Sequence, residues 1–189
     1  MEDHHSAVQK GLKMTLGLTI EQSNGAIFSL DKLYRYKLWR TFLTGEGAVA
    51  FLLLNPSTAD ETHNDPTIRR CLNFARRAGF LKVIFGNLFA FRNTYPETLL
   101  KIPDPIGNEN DKYLIEIAKE STCLIFGWGN QGLFLNRGEY VARLLNEFKP
   151  SCLDRLTKFG CPKHPLYLRG DVDINDYQLE RKMWGLRSK

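Results

Sequence analysis

Long apolar runs are missing from this chain. The longest, Ala48 to Leu54, has seven residues, far short of the ~18 that a bilayer-spanning helix needs. The start, Met1-Glu2-Asp3-His4-His5, is mixed in charge and leads into no apolar stretch, so neither a secretory signal nor membrane attachment is expected. Cysteine is sparse: Cys71, Cys123, Cys152 and Cys161 form no C-x-x-C pair, which points to reduced thiols and a cytoplasmic setting. Cys152, Cys161 and His164 lack a fourth ligand at a standard spacing, so no metal is expected. G-x-G-x-x-G, a Walker loop and a Ser-His-Asp order are also absent, and no cofactor is expected. No repeat, flexible linker or low-complexity segment interrupts the sequence. One domain over residues 16–175, with tails at 1–15 and 176–189, is the simplest division of the 189 residues. The composition, 43% hydrophobic and 25% charged, is that of an ordinary globular chain and excludes a disordered tail, a coiled coil or a collagen-like repeat.

The net charge is +5 and the pI about 9.0, but the distribution says more than the total. Between Thr67 and Lys101 lie Arg69, Arg70, Arg76, Arg77, Lys82, Arg92 and Lys101 against Glu97 alone. Such a local excess fits either attraction to phosphate or a solvated basic face.

Leu16 to Phe42 reads as β structure. Ser23-Asn24-Gly25 marks a turn, and Tyr34, Tyr36 and Leu38 alternate with Arg35 and Lys37. An antiparallel hairpin or edge at the start of the domain is expected. From Ala48 the pattern changes to buried strands alternating with helices. Ala48–Leu54, Val83–Phe91, Cys123–Phe126 and about Leu153–Phe159 are the strand candidates. Asp65-Pro66 supplies an N-cap and a proline at the first helical position. Ile68, Cys71, Leu72 and Ala75 then follow at helical spacing, and Gly79 closes the segment. A second helix is expected over about Glu109–Glu120, and a third with Val141, Leu144, Leu145 and Phe148 on one face. Together these predict a three-layer α/β/α sandwich with a mainly parallel central sheet, preceded by the hairpin.

In such a sheet, ligands bind beyond the carboxyl ends of the strands. Four segments fall there. Leu54-Asn55-Pro56-Ser57-Thr58-Ala59-Asp60 follows the first buried strand and offers backbone N–H groups and short polar side chains; it also fits an ordinary turn. Gly86 to Asn93 ends the next strand, and its Asn87 carboxamide can donate and accept together, as the edge of a heterocyclic base requires. Phe89 or Phe91 could stack on that base, or belong to the core. Phe126-Gly127-Trp128-Gly129-Asn130 carries two glycines that allow close backbone approach or form a turn. Lys163-His164-Pro165-Leu166-Tyr167-Leu168 contains the only histidine of the second half of the chain.

Taken together, Leu53 to Asp60, Asp65 to Cys71, Asn87 to Arg92, Asp104 to Asp111 and Lys163 to Tyr167 resemble a bacterial and phage family known as domain of unknown function 1643. More distantly, the order of an Asn-Pro loop, a helix, a strand ending in Asn and a late His-Pro loop resembles the uracil-DNA glycosylase superfamily. That resemblance implies a fold of the same kind, a monomer, and a DNA base-excising N-glycosylase acting on a modified or damaged base. Asn55 would hold the hydrolytic water, and Pro56 and Ser57 beside it would help bind the base. Asn87 and Phe89 would read the flipped base. His164 would stabilise the departing base anion, and Tyr167 or Leu168 would wedge into the base stack. Asp60 or Asp65 would stabilise the cationic sugar, while Arg69, Arg70, Arg76, Arg77, Arg92 and Lys163 would hold DNA. The alternatives are an enzyme of free nucleosides or nucleotides, and a non-catalytic nucleic-acid-binding module with a base pocket.

Overall fold

The computed structural model describes residues 24–172 and 174; the two tails and the expected β structure of 16–23 lie outside the described residues. Six strands form one sheet: β1 Asn24–Phe28, β2 Arg35–Thr41, β3 Glu46–Leu53, β4 Phe80–Asn87, β5 Cys123–Phe126 and β6 Ser151–Cys152, in the spatial order β1-β2-β4-β3-β5-β6. β4, β3, β5 and β6 are mutually parallel, whereas β1 on β2 and β2 on β4 are antiparallel. The sheet is therefore mixed, with three parallel pairings and two antiparallel ones. The hairpin does not precede the sheet but extends it, because β2 hydrogen-bonds along β4 from Thr41–Lys82 to Leu38–Phe85.

Three helices cover the sheet: α1 Pro66–Arg77, α2 Asn110–Glu120 and α3 Arg137–Leu144. Side chains alternate across β3, so its apolar run supplies both faces. Val49, Phe51 and Leu53 pack with Ile68, Cys71, Phe74 and Ala75 of α1. Ala50, Leu52 and Leu54 pack with Leu114 and Ile117 of α2 and Val141 of α3. Each fully buried large side chain of this kind contributes roughly 1.5–3 kcal/mol. α1 begins where its sequence signals it: Asp65 Oδ1 accepts from the Ile68 N–H at 2.8 Å, and Pro66 occupies the first turn. Gly79 leaves the helix at φ +80°, a conformation that suits glycine.

Two local expectations are revised. The β1–β2 turn lies at Ser29 to Leu33, where the Ser29 and Lys32 backbones are bonded; Asn24 and Gly25 are already strand, paired with Arg40 and Trp39. The strand expected at about Leu153–Phe159 is not formed; a two-residue strand, Ser151–Cys152, lies just before it. The chain beyond Cys152 is loop, closed by the Thr157 N–H to the Cys161 carbonyl at 2.8 Å.

The sheet and α2 pack closely at Gly86 in β4. A Cβ there would lie 2.8 Å from Leu52 Cδ2 and 2.9 Å from both Ile117 Cδ1 and Leu114 Cδ2. Gly86→Ala is expected to destabilise the fold by about 1–3 kcal/mol through overpacking between the sheet and α2. Denaturant unfolding measures this, and an unchanged midpoint would show that α2 yields without cost.

Candidate functional site

A cleft of about 820 Å³ opens where the loops after the parallel strands converge, a volume typical of small-molecule sites. All four candidate ligand-binding segments reach it, the second through Asn93 alone. Asn55 and Ser57 come from the loop after β3, Gly129 and Asn130 from the loop after β5, and Lys163, His164 and Tyr167 from the loop after β6. Asp65 and the first turn of α1 form another wall, and Asn93 and Thr94 close the side below β4.

Asn55 is held in one orientation. Its Nδ2 donates to the carbonyls of Pro56 at 3.1 Å and Asn93 at 2.6 Å. Both amide hydrogens are thereby used, which leaves Oδ1 as an acceptor for a ligand or water. Pro56 itself is buried and does not line the cleft; its carbonyl ties Asn55 and the Asn93 N–H together.

His164 precedes the short turn Pro165–Tyr167, and its Nδ1 accepts from the Leu166 N–H at 3.3 Å. The neutral ring must then carry its proton on Nε2, which becomes a donor. Burial pushes the imidazole below its ordinary value, and Asp65 acts in the opposite direction. The ring is therefore neutral at pH 7. The loop approaches its neighbour closely: Gly127 faces Pro165 Cδ, which a Cβ would meet at 2.9 Å, and Gly129 adopts φ +71° with its N–H on the Pro162 carbonyl. The two glycines thus serve the approach of the His-Pro loop.

The sign of the His164 shift fixes a pH dependence. With the folded value below the unfolded one, the unfolded chain takes up the proton first as pH falls. The stability associated with neutral His164 is complete above about pH 6.5 and is lost as pH drops toward the folded value. An NMR titration of His164 is expected to show a midpoint below 6.5, lowered further by Asp65→Asn; a midpoint above 6.5 would contradict the burial argument.

Asp60 does not line the cleft. Its carboxylate closes its own turn, accepting from the His63 N–H at 2.8 Å and the Thr62 N–H at 2.9 Å. These bonds hold it well below the usual carboxylate range. The acid on the cleft wall is Asp65, which is 9% exposed.

Asn87 and Phe89 are likewise absent from the cleft wall. Phe89 is fully buried and packs on Phe134 with ring centroids 5.4 Å apart. Phe91 meets Tyr34 edge-on at 5.7 Å. Asn87, 2% exposed, accepts from Arg35 Nη2 at 3.5 Å, and its own Nδ2 has no partner among the described residues. Leu168 is not a wedge, since it sits in the core under α1. Tyr167 is the exposed residue of that loop, at 83%, with its ring 5.7 Å from that of His164.

The arginines expected to hold phosphate have protein partners. Arg70 donates to the Leu168 carbonyl, Arg77 to those of Gly170 and Asp171, and Arg69 to that of Asn64. Arg76 stacks over Phe42 at 4.8 Å, and Arg92 over Phe28 at 4.9 Å while it donates to the Lys32 carbonyl. Lys163 does reach the cleft, but its ammonium is paired with Asp154 at 2.6 Å.

Sequence reasoning passed over two buried cations beneath the site. Arg35 Nη1 donates to the Ala59 carbonyl at 2.6 Å, and Arg40 donates to the Asp60 and His63 carbonyls and to Asn64 Oδ1. Burial brings the Arg35 guanidinium down to about 10, with Asp65 opposing that shift; it stays charged at neutral pH. Their only sequence signal is the presence of charge within a strand, which reads equally as a solvent face. Among the described residues no group of His, Cys, Asp or Glu could hold a metal ion, and no helix is long and apolar enough to cross a membrane.

Fold and site together define an α/β protein with a mixed sheet and a polar cleft over its parallel strand ends. The family model described as "Protein of unknown function (DUF1643)" matches residues 35–166, and the chain belongs to that family. No curated protein and no solved structure gives a match, so the likeness to uracil-DNA glycosylases gains no support from a named relative.

Proposed function

We propose that the chain is an N-glycosylase that hydrolyses the bond between a nucleobase and its sugar in DNA, leaving an abasic site. The observation that carries this reading is the pair of polarised groups on one cleft: an Asn55 amide with only its oxygen left free, and a neutral His164 with only its Nε2–H left to donate. When the C1′–N bond breaks, the base leaves with the electron pair and positive charge builds on the sugar. Water adds to C1′, and the proton it releases passes through solvent to the departing base anion, giving free base and a C1′ hydroxyl. Asn55 Oδ1 can accept from that water and orient it. The His164 Nε2–H can donate to the base anion, an interaction that is stronger in the transition state than in the ground state. Asp65, in place of Asp60, supplies negative charge on the same wall. The target base must leave the duplex to reach such a cleft, and Tyr167 is the exposed aromatic at its rim. With Asn87 and Phe89 sealed below and Asn93 tied to Tyr95 and Thr98, reading of the base falls to the rim amides Asn130 and Gln131.

A second reading, an enzyme of free nucleosides, is favoured by the engagement of the α1 arginines with carbonyls and aromatic rings. Incubation with DNAs carrying natural and modified bases, followed by mass spectrometry of released bases and alkali cleavage, tests the first reading. Free base with matching alkali-labile sites is the expected result. Release from nucleosides alone would favour the second, and binding without release would leave a nucleic-acid-binding module.

A further inference from the structure

The Asn130 amide on the cleft rim is built into its surroundings at both backbone and side chain. The Gly129 N–H before it donates to the Pro162 carbonyl at 2.8 Å, and the Gly132 N–H after it donates to the Gly129 carbonyl at 3.1 Å. A Cβ on Gly129 would lie 3.5 Å from His164 Cβ, so Asn130 and His164 stand side by side on the wall made by the loops after β5 and β6.

The side chain is fixed by Thr157, which belongs to the loop after β6. Thr157 heads a turn closed by two backbone bonds, from its own N–H to the Cys161 carbonyl at 2.8 Å and from the Gly160 N–H to its carbonyl at 2.9 Å. Its hydroxyl oxygen accepts from the N–H groups of Cys161 at 3.2 Å and Phe159 at 3.3 Å. Both lone pairs are then used. The single hydroxyl hydrogen is what reaches Asn130, 2.7 Å away, and the amide atom it meets must be the acceptor Oδ1. An amide turned the other way would set a third donor against the same oxygen. The Nδ2 group is therefore the half of Asn130 left for a ligand, beside the Nε2–H of His164.

We infer that Asn130, held by Thr157 as a hydrogen-bond donor, selects ligands that present a carbonyl oxygen to this wall and rejects those that present an amino group there. The inference rests on the base-handling reading proposed for this cleft and deepens it by dividing bases according to their exocyclic group. A keto oxygen accepts from the amide, whereas an amino group sets N–H against N–H. Asn130 determines specificity, and Thr157 is a positioning residue that acts through it. The same choice serves departure of the base, because a carbonyl oxygen is where the negative charge of the leaving base can settle, facing donors.

The test is competition binding to the full chain with pairs that exchange the carbonyl for an amino group: deoxyinosine against deoxyadenosine, and thymidine against 5-methyldeoxycytidine, each as the free nucleoside and at the centre of a short single strand. In at least one pair the keto member is expected to bind about tenfold or more tightly, the scale of one donor left facing no acceptor. Asn130→Asp keeps the shape, still accepts from Thr157 and removes the donors, so it should cut the preference to about threefold or less. Thr157→Val frees the amide to turn and should do the same, while Thr157→Ser keeps the hydroxyl and should retain the preference. A merely structural loss at either position would weaken both members of a pair alike and leave their ratio unchanged. Asn130 lies on the exposed rim, so the aspartate variant decides if the valine variant does not fold. Equal binding of keto and amino members, or a preference untouched by Asn130→Asp, would overturn the inference and leave a base pocket standing. A preference untouched in a folded Thr157→Val protein would overturn the part given to Thr157. Binding of none of these ligands at millimolar concentration would remove the base-handling reading and the inference with it.

Discussion

Replacing His164 by alanine is expected to slow single-turnover base release about 10²-fold or more at neutral pH, the scale of a lost oxyanion-type donor. The expectation follows from tautomer rather than from position alone. Because Nδ1 is occupied by the Leu166 N–H, the donor facing the reaction is Nε2–H. The cation on the same wall, Lys163, is paired with Asp154 and does not substitute for it. The alanine variant also loses the cap on the Pro165–Tyr167 turn. His164→Asn, which can restore that cap through its side-chain oxygen, should melt closer to the native protein yet remain as slow as the alanine variant. Recovery of rate in the asparagine variant would assign His164 to the architecture of the loop, and unchanged rates in both would remove it from the chemistry.

The largest loss of stability is expected from Arg35→Ala, roughly 3 kcal/mol or more. Arg35 is 2% exposed, and its guanidinium serves the Ala59 carbonyl and Asn87 Oδ1. Truncation leaves those acceptors without a donor, at about 1–3 kcal/mol for each buried group, and adds a cavity term. It also removes the positive charge that sits near Asp65. Lysine at this position keeps the charge but cannot serve two diverging acceptors in the same way, so Arg35→Lys should lie between the two. Chemical denaturation of the three proteins checks the order. A loss under about 1 kcal/mol for the alanine variant would mean that the loop after β3 is held by Arg40 alone.

Helix α1 was readable because its start and stop are local chemistry: an aspartate whose oxygen reaches three residues on, a proline without a donor to waste, a glycine at positive φ. β3 was readable because a strand covered on both faces must be apolar at every position. β2 was not, since Arg35, Lys37 and Arg40 look like a wetted face until the neighbours are known. The partners that make their burial tolerable lie far along the chain: Ala59, the carbonyls of Asp60 and His63, and Glu120. The same distance effect explains the arginines of α1, whose charge was visible but whose carbonyl partners at Leu168 to Asp171 were not. In the cleft, the loops carrying Asn55 and His164 were legible from turn residues placed after strands. Asp60 and Asp65 are indistinguishable by type, and they separate only once one closes its own turn and the other caps a helix on the wall. Asn87 stands out as polar in an apolar strand, and Arg35 accounts for its buried amide oxygen, while its Nδ2 has no partner among the described residues.

The position of β2 has a consequence for synthesis on the ribosome. Its partner on one side is the adjoining β1, but the other is β4, which begins roughly 40 residues after β2 ends. At ~5–20 residues per second, the emerging hairpin waits about 2–8 s for the edge it will join. An unpaired strand edge in a nascent chain invites pairing with the wrong molecule, and charged side chains are a common guard against it. Arg35, Lys37 and Arg40 carry such charge on β2; the loop after β3 then takes Arg35 and Arg40, and Glu120 of α2 takes Lys37.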